Sequence, residues 1–310
     1  MSVLSRATST PDQVVAAARP SRGPHKRRRG APIDRVSPWA RLLQYGALIC
    51  YLVFLAFPLL WLLSTSFASA QDLVALHPGL IPDHATLSNY SAAFSEQALV
   101  RSALNSLLVA TVSAALTVLV AIPAAYALVR LRTRLTKPVL GWVLMSQLFP
   151  FILLVIPIFL ILSGAGLVDS RVGLILIYVV WILPFALWML QGYVRDLPVE
   201  IEEAASLDGA SRLQTLKSIV FPLLLPGVIA TLLFAFITAW NEFFFALVLI
   251  KSPELETLPL TLARFVGLEG VTRLGPLAAG ALLATLPSLI FFSFIQRGLT
   301  GGLLSGATKG

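Results

Sequence analysis

The chain has 310 residues, of which 57% are hydrophobic and only 12% charged, with a formal net charge of +8. Soluble domains carry about 25% charged residues, so this composition, with a mean hydropathy of +0.85, excludes a soluble globular protein. It indicates a polytopic membrane protein. The lone cysteine, Cys50, excludes an intrachain disulfide, and His25, His77 and His84 show no metal-ligand spacing.

Residues 1–40 are rich in Ala, Pro, Ser and Arg and lack an apolar period. They are expected to form a disordered, basic cytoplasmic tail. Lys26-Arg27-Arg28-Arg29 suits either anionic headgroups, which would make membrane lipid a partner, or a plain orientation signal. The apolar run that follows Arg41 is far longer than the roughly 7–15 residues of a signal peptide. Charge-free runs then follow at Leu42–Gln71, Ser102–Val129, Pro138–Val168, Val172–Val194 and Leu274–Gln296, and Ser218–Ile250 is interrupted only by Glu242. Each exceeds the roughly 20 residues that a helix needs to cross the hydrocarbon. Six spans put both termini on one side. All lysines and arginines except Arg101, Arg171, Lys251, Arg264 and Arg273 lie in 1–41, 130–138, 195–217 and 297–310. By the positive-inside rule those segments, and both termini, are cytoplasmic. The net charge is thus a topology signal, and no nucleic-acid partner is expected.

Pro123, Pro150, Pro157, Pro184 and Pro287 fall inside the apolar runs, where proline frees backbone carbonyls that can line a cavity or simply shape a helix. The segment after the fourth run is polar. Glu200, Glu202 and Glu203 follow Pro198 and suit the first turn of a short helix. Asp208-Gly209 breaks it. Ser211 and Gln214 have capping-box spacing and open a second helix with Leu213, Leu216 and Ile219 on one face. Pro222 and Pro226 are expected to end that unit. Such a helix–turn–helix is either a docking surface or an amphipathic cover.

Glu242 is the one carboxylate in the spans. At membrane depth it costs about 2.5–3.5 kcal/mol on insertion scales, so it faces protein or water. It either lines a transport pathway or snorkels near the outer interface, since Lys251 and Pro253 follow. Trp240, Asn241 and Gln147 are grouped with it as substrate-pathway candidates; an aromatic stripe here equally suits helix packing.

Glu203-Ala204-Ala205, three residues, Gly209, then Ile219 and Pro222 resemble the EAA loop of ABC importer permeases. Leu216 and Phe221 stand where that family usually has Phe and Leu, and both keep the position apolar. Trp240-Asn241-Glu242-Phe243 resembles the W-N-E-F segment of the carbohydrate importer branch. Pro150, Ile156-Pro157 and the Gly166-Leu167 turn also fit. The ending Gln296-Arg297-Gly298-Leu299, Gly301-Gly302-Leu303 and Gly306 to Gly310 is similar to the tail of maltose-type permeases of the smaller subunit kind. The likeness runs from about Tyr45 to Gly310.

The resemblance implies an all-α integral membrane protein with the six transmembrane helices of the ABC type I importer permease fold over 41–298. It implies an ATPase-coupling loop at 195–227 carried by Glu202, Glu203, Ala204, Ala205, Asp208, Gly209 and Ala210, and a cytoplasmic tail at 299–310. The implied partners are an ABC ATPase dimer, a second, non-identical permease subunit and an extracytoplasmic sugar-binding protein. No cofactor is implied. The chain itself lacks a GxxxxGK[ST] sequence and is expected to be a transport subunit in the cytoplasmic membrane, not an enzyme. An ion-coupled secondary transporter would need more midplane carboxylates than Glu242. An intramembrane hydrolase would need a nucleophile with a base, and no histidine lies in the spans.

Overall fold

The computed structural model describes residues 38–75, 79–96, 99–131, 134, 136–266 and 273–307. The basic tail at 1–37 and the last three residues lie outside the described residues. The chain divides into two units, 1–54 and 55–310. The described part of the first is the opening stretch of helix α1, Pro38–Phe67, whose side chains there are almost all exposed and largely apolar.

The second unit holds the rest. A short α2, Ala70–Leu73, and α3, Ser88–Glu96, lead into the long α4, Leu99–Arg130. Next come α5, Thr136–Leu148, α6, Phe151–Gly164, and α7, Arg171–Asp196. The polar segment forms α8, Val199–Leu207, and α9, Arg212–Thr215. A π-helical turn, Leu216–Val220, runs into α10, Phe221–Trp240, followed by α11, Phe244–Leu249, α12, Leu258–Ala263, and α13, Leu274–Ala307. Among the described residues every regular element is helical. Five helices are long and apolar enough to cross a bilayer, and α5 with α6 makes a sixth if the bent pair counts as one span.

That pair departs from the single run expected over Pro138–Val168. Its halves meet at 106°. Proline disfavours helical backbone in the residue before it, and Pro150 takes an extended conformation (φ −60°, ψ 110°) at the start of α6. Pro123, Pro157, Pro184 and Pro287 lie inside continuous helices.

The bundle is organised around α4. Its buried face is rich in small residues, Ser102, Ser106, Ala110, Ser113, Ala114, Thr117, Ala121 and Ala125, with Asn105, Val109, Val118 and Ile122 among them. Small residues let helix backbones approach closely, the main route to helix packing in lipid, where no hydrophobic force drives it. Against this face pack α7 and α10. Toward one end Val109, Ala110 and Ala114 share a core with Leu174, Tyr178, Ile182, Phe236 and Trp240. Toward the other, Val118, Ala121 and Ala125 meet Ala186, Leu190, Val194, Leu224 and Val228. Gly227 serves the same closeness, since a Cβ there would run into the Tyr193 ring.

At the α4 N-terminal end, side chains satisfy the irregular backbone after α11. Asn105 Nδ2 donates to the carbonyls of Glu254 (2.8 Å) and Glu256 (3.0 Å), and its Oδ1 accepts from Arg171 Nη2 at 2.9 Å. Ser106 Oγ accepts the Leu258 N–H at 2.7 Å. Glu256, buried, pairs with Arg264. The α6–α7 turn is tied to the same segment by Asp169, a non-glycine residue at φ 57°. Its carboxylate accepts the Ser252 hydroxyl and the Ser252 and Lys251 N–H groups.

These bonds, the Ser252 hydroxyl first, hold the Asp169 carboxyl below its ordinary 3.8. A depressed folded value contributes stability that is present above 3.8 and lost as pH falls through the lower folded value. Asp169→Asn tolerates the left-handed backbone but loses the charge-assisted bonds. Thermal melts of the detergent-solubilised protein should therefore show wild type above the variant at neutral pH, with the gap closing below pH ~3.8.

Candidate functional site

The two groups of residues singled out in the sequence lie at opposite ends of the α9–α10 rod. The first is the polar helix–turn–helix. Helix α8 opens after Pro198 with Glu200 and Glu202 in its first turn, where the helix dipole favours negative charge. It ends at Asp208, and Gly209 takes φ +83°, a left-handed conformation open to glycine at no steric cost. The Ala210 N–H closes the turn on the Ala205 carbonyl at 3.0 Å. Ser211 then caps α9 reciprocally with Gln214, its Oγ accepting the Gln214 N–H and its own N–H donating to Gln214 Oε1.

The second helix does not end at Pro222. It passes through the π turn into α10, so the apolar rod from Arg212 to Trp240 is continuous. Pro222 sits in the first turn of α10, directly after the π turn. The wider π turn before it is the kind of irregularity that absorbs a local break in the hydrogen-bond ladder. Pro226 is accommodated inside α10.

The loop has an inner and an outer side. Glu203, Ala204, Asp208 and Gly209 are exposed, Ala210 is half-buried and Ala205 is buried. Leu207 and Leu213 flank the turn at 89% and 73% exposure. Glu202 points the other way. Its Oε1 accepts Arg130 Nε at 2.6 Å and its Oε2 accepts the Tyr126 hydroxyl at 2.8 Å. Arg130 Nη2 also donates to the Leu197 carbonyl at 2.8 Å. The Arg130 and Glu202 side chains are only 12% and 13% exposed. Removing one partner of so desolvated a pair costs about 3–5 kcal/mol, because the other charge is left stranded. Sequence reading placed Glu202 with the coupling residues, counted Arg130 only as an orientation charge and did not single out Tyr126. Their i, i+4 spacing at the end of a span is the one signal that could have marked a shared polar face.

The second group marks the far end of the rod. Trp240 is 3% exposed, donates its indole N–H to the Ala284 carbonyl at 3.2 Å and stacks on Phe236. Its ring belongs to the core between α10 and α13. Asn241 is exposed and donates back to the Ile237 carbonyl at 2.8 Å, closing α10. Glu242 lies in the break between α10 and α11 and accepts the Phe245 and Ala246 N–H groups at 3.0 and 3.3 Å. The buried Tyr178 hydroxyl lies beside it without a hydrogen bond of normal geometry. Gln147 stands apart, exposed on α5 just before the Pro150 bend.

Among the described residues no cluster of His, Cys, Asp and Glu could hold a metal ion. Residues 117–300 match the family described as binding-protein-dependent transport system inner membrane component. The chain belongs to that family. This permease is 59% identical over 229 residues to the putative ABC transporter permease protein ORF1 of Streptomyces antibioticus, covering 74% of this chain and 100% of that one. It is 34% identical to the diacetylchitobiose uptake system permease protein DasC of Streptomyces coelicolor, over 83% of this chain and 92% of the relative. It is 36% identical to the trehalose/maltose transport system permease protein MalG of Thermococcus litoralis, over 87% and 96%. A bacterial ABC transporter involved in the import of the acidic polysaccharide alginate shares the fold. Its TM-score is 0.72 at 23% identity, over 84% of this permease and 98% of that chain. The permease is thus a multi-pass inner-membrane component of a transport system.

The Glu242 geometry makes a direct prediction for stability. Glu242→Ala leaves two N–H groups at the start of α11 without their acceptor and should lower stability by about 0.5–2 kcal/mol. Glu242→Gln keeps one acceptor and should fall between the two in thermal melts of the purified protein.

Proposed function

We propose that this permease carries a sugar or oligosaccharide inward across the cytoplasmic membrane, driven by ATP hydrolysis in a partner ABC ATPase dimer. Relatives named for diacetylchitobiose and for trehalose/maltose support the cargo class. The other partners are a second, non-identical permease subunit and an extracytoplasmic sugar-binding protein. Both termini, with the basic tail at 1–40 and the closing segment at 299–310, are cytoplasmic, in keeping with the lysine and arginine placement. The helix α13 running through Leu299 to Ala307 without a break lets that closing segment reach beyond the membrane as a rod.

The observation that carries the coupling role is the outer side of the α8–α9 loop. Two leucines stand largely exposed around a left-handed glycine, with Glu203 and Asp208 beside them. Apolar knobs rimmed by carboxylates suit a cleft in a partner that offers an apolar floor and basic edges. Glu203, Ala204, Asp208, Gly209 and Ala210 form this docking face, while Ala205 and Glu202 seat it on the bundle. ATP-driven closure of the ATPase dimer displaces the loop, and the spans open outward to accept sugar from the binding protein.

Asn241 and Glu242, at the opposite end of the α9–α10 rod, form part of the sugar pathway. Glu242→Gln should change uptake kinetics by more than its small loss of stability explains. Wild-type kinetics would leave Glu242 a helix cap alone.

Gly209→Val tests the coupling role. A β-branched residue at φ +83° is strained by roughly 1–3 kcal/mol, and its side chain enters the docking face. The variant should insert normally, bind the ATPase loosely and lose uptake in proteoliposomes, and Glu203→Ala should show a milder form of the same defect. Uptake near wild type with the ATPase tightly bound would reduce the segment to a cover on the membrane surface.

A further inference from the structure

We infer that Arg130 is the positioning residue through which displacement of the α8–α9 loop reaches span α4, an inference that rests on the docking role proposed for that loop. The loop has two attachments to the bundle, and they differ in kind. Its α9 side is continuous with α10 through the π turn, so movement passes along one helical rod. Its α8 side has no such continuity. Helix α7 ends at Asp196, and α8 starts after Pro198, which provides no side-chain cap. The joint between them is a pair of extended residues, Leu197 at ψ 130° and Pro198 at ψ 132°. Helix α8 finds its main packing neighbour in α9. Left to that joint, α8 would swing without moving any span.

Arg130 closes the joint. From the last turn of α4 its guanidinium bonds the Leu197 carbonyl on one side of Pro198 and the Glu202 carboxylate on the other. Tyr126, one turn earlier on the same face of α4, takes the second carboxylate oxygen. Three segments meet at a single planar group. A guanidinium has five donors in a fixed fork, so it can hold two acceptors at a set angle where a lysine ammonium cannot. Partial burial makes the pair less sensitive to salt than an exposed one. The opposite end of α4 is pinned by Asn105 to the Glu254 and Glu256 carbonyls and to Arg171. A pull on α8 is therefore delivered to a helix whose far end is tied to the irregular segment after α11. Glu202 acts from the inner side of the loop, through Arg130, and does not touch the ATPase.

Two measurements test this, both on the full permease. Hydrogen–deuterium exchange of residues 199–207 reads the clamp without any ATPase present. Arg130→Gln and Glu202→Gln should exchange there about tenfold faster than wild type, with α10 unchanged. Uptake per ATP hydrolysed, in proteoliposomes with the ATPase, the second permease and the binding protein, reads transmission. It should fall about fivefold or more in the same variants while the ATPase still co-purifies. Arg130→Lys, which keeps the charge but loses the fork, should couple poorly as well. Tyr126→Phe removes one hydroxyl from a site that still holds its ion pair, so it keeps the test open if the charge variants fail to insert. It should show a smaller drop in the same ratio. The exchanged pair Arg130→Glu with Glu202→Arg should regain part of the coupling that either single change loses.

Unchanged exchange in 199–207 would overturn the clamp. Faster exchange with a wild-type ratio of uptake to hydrolysis would overturn transmission and leave the bonds merely structural. Failure of the docking reading looks different. Gly209→Val would then transport normally with the ATPase tightly bound, which removes the premise while the exchange result still reports on the clamp.

Discussion

Close approach of three helices sets the terms for everything else in this permease. In lipid no hydrophobic force presses one apolar helix against another, so association depends on how near the backbones can come. Helix α4 meets that demand with a buried face rich in alanine, serine and threonine from Ser102 to Ala125, and Gly227 of α10 yields to the Tyr193 ring. The larger side chains of α7 and α10 fill the space between: Leu174, Tyr178 and Phe236 toward one end, Leu190, Val194 and Leu224 toward the other. With α4 fixed at the centre, both of its ends become anchoring points for chain that cannot form regular structure.

Those anchors use different chemistry for the same purpose. At the N-terminal end Asn105 and Ser106 satisfy backbone carbonyls and an N–H of the segment after α11, groups that would otherwise be buried unpaired. At the C-terminal end Arg130 satisfies one carbonyl and one carboxylate. A buried ion pair adds little net stability over well-packed apolar groups, yet losing one partner is severe. Its value here is geometric: it fixes where α8 stands relative to α4 across a proline joint.

The same logic separates the residues around the end of α10. Trp240, Asn241 and Glu242 are consecutive, but the chain direction changes there and each meets a different environment. Trp240 is still helical and faces α13, Asn241 closes the helix from the exposed side, and Glu242 turns its carboxylate onto the N–H groups that open α11. A carboxylate with two backbone donors is stabilised where it stands, and this explains how an acidic residue is tolerated at the edge of an apolar span.

Much of this protein was decided by sequence-local physics. Runs of twenty or more apolar residues form membrane helices because the bilayer accepts no unpaired backbone, and five such helices with the bent pair stand where the runs lie. The turn at Gly209 and the Ser211–Gln214 capping box were equally legible, since each depends on a few neighbouring residues. Proline was legible only as an interruption: Pro150 bends the third run, whereas Pro222 and Pro226 sit within a continuous rod, because helix context decides whether a missing N–H is costly. What only the tertiary structure decided is which polar residues face inward. Arg130 and Glu202 are 72 positions apart, and no local pattern pairs them. Their contact exists because small residues bring α4 and α7 together closely enough for the last turn of one to reach the chain leaving the other.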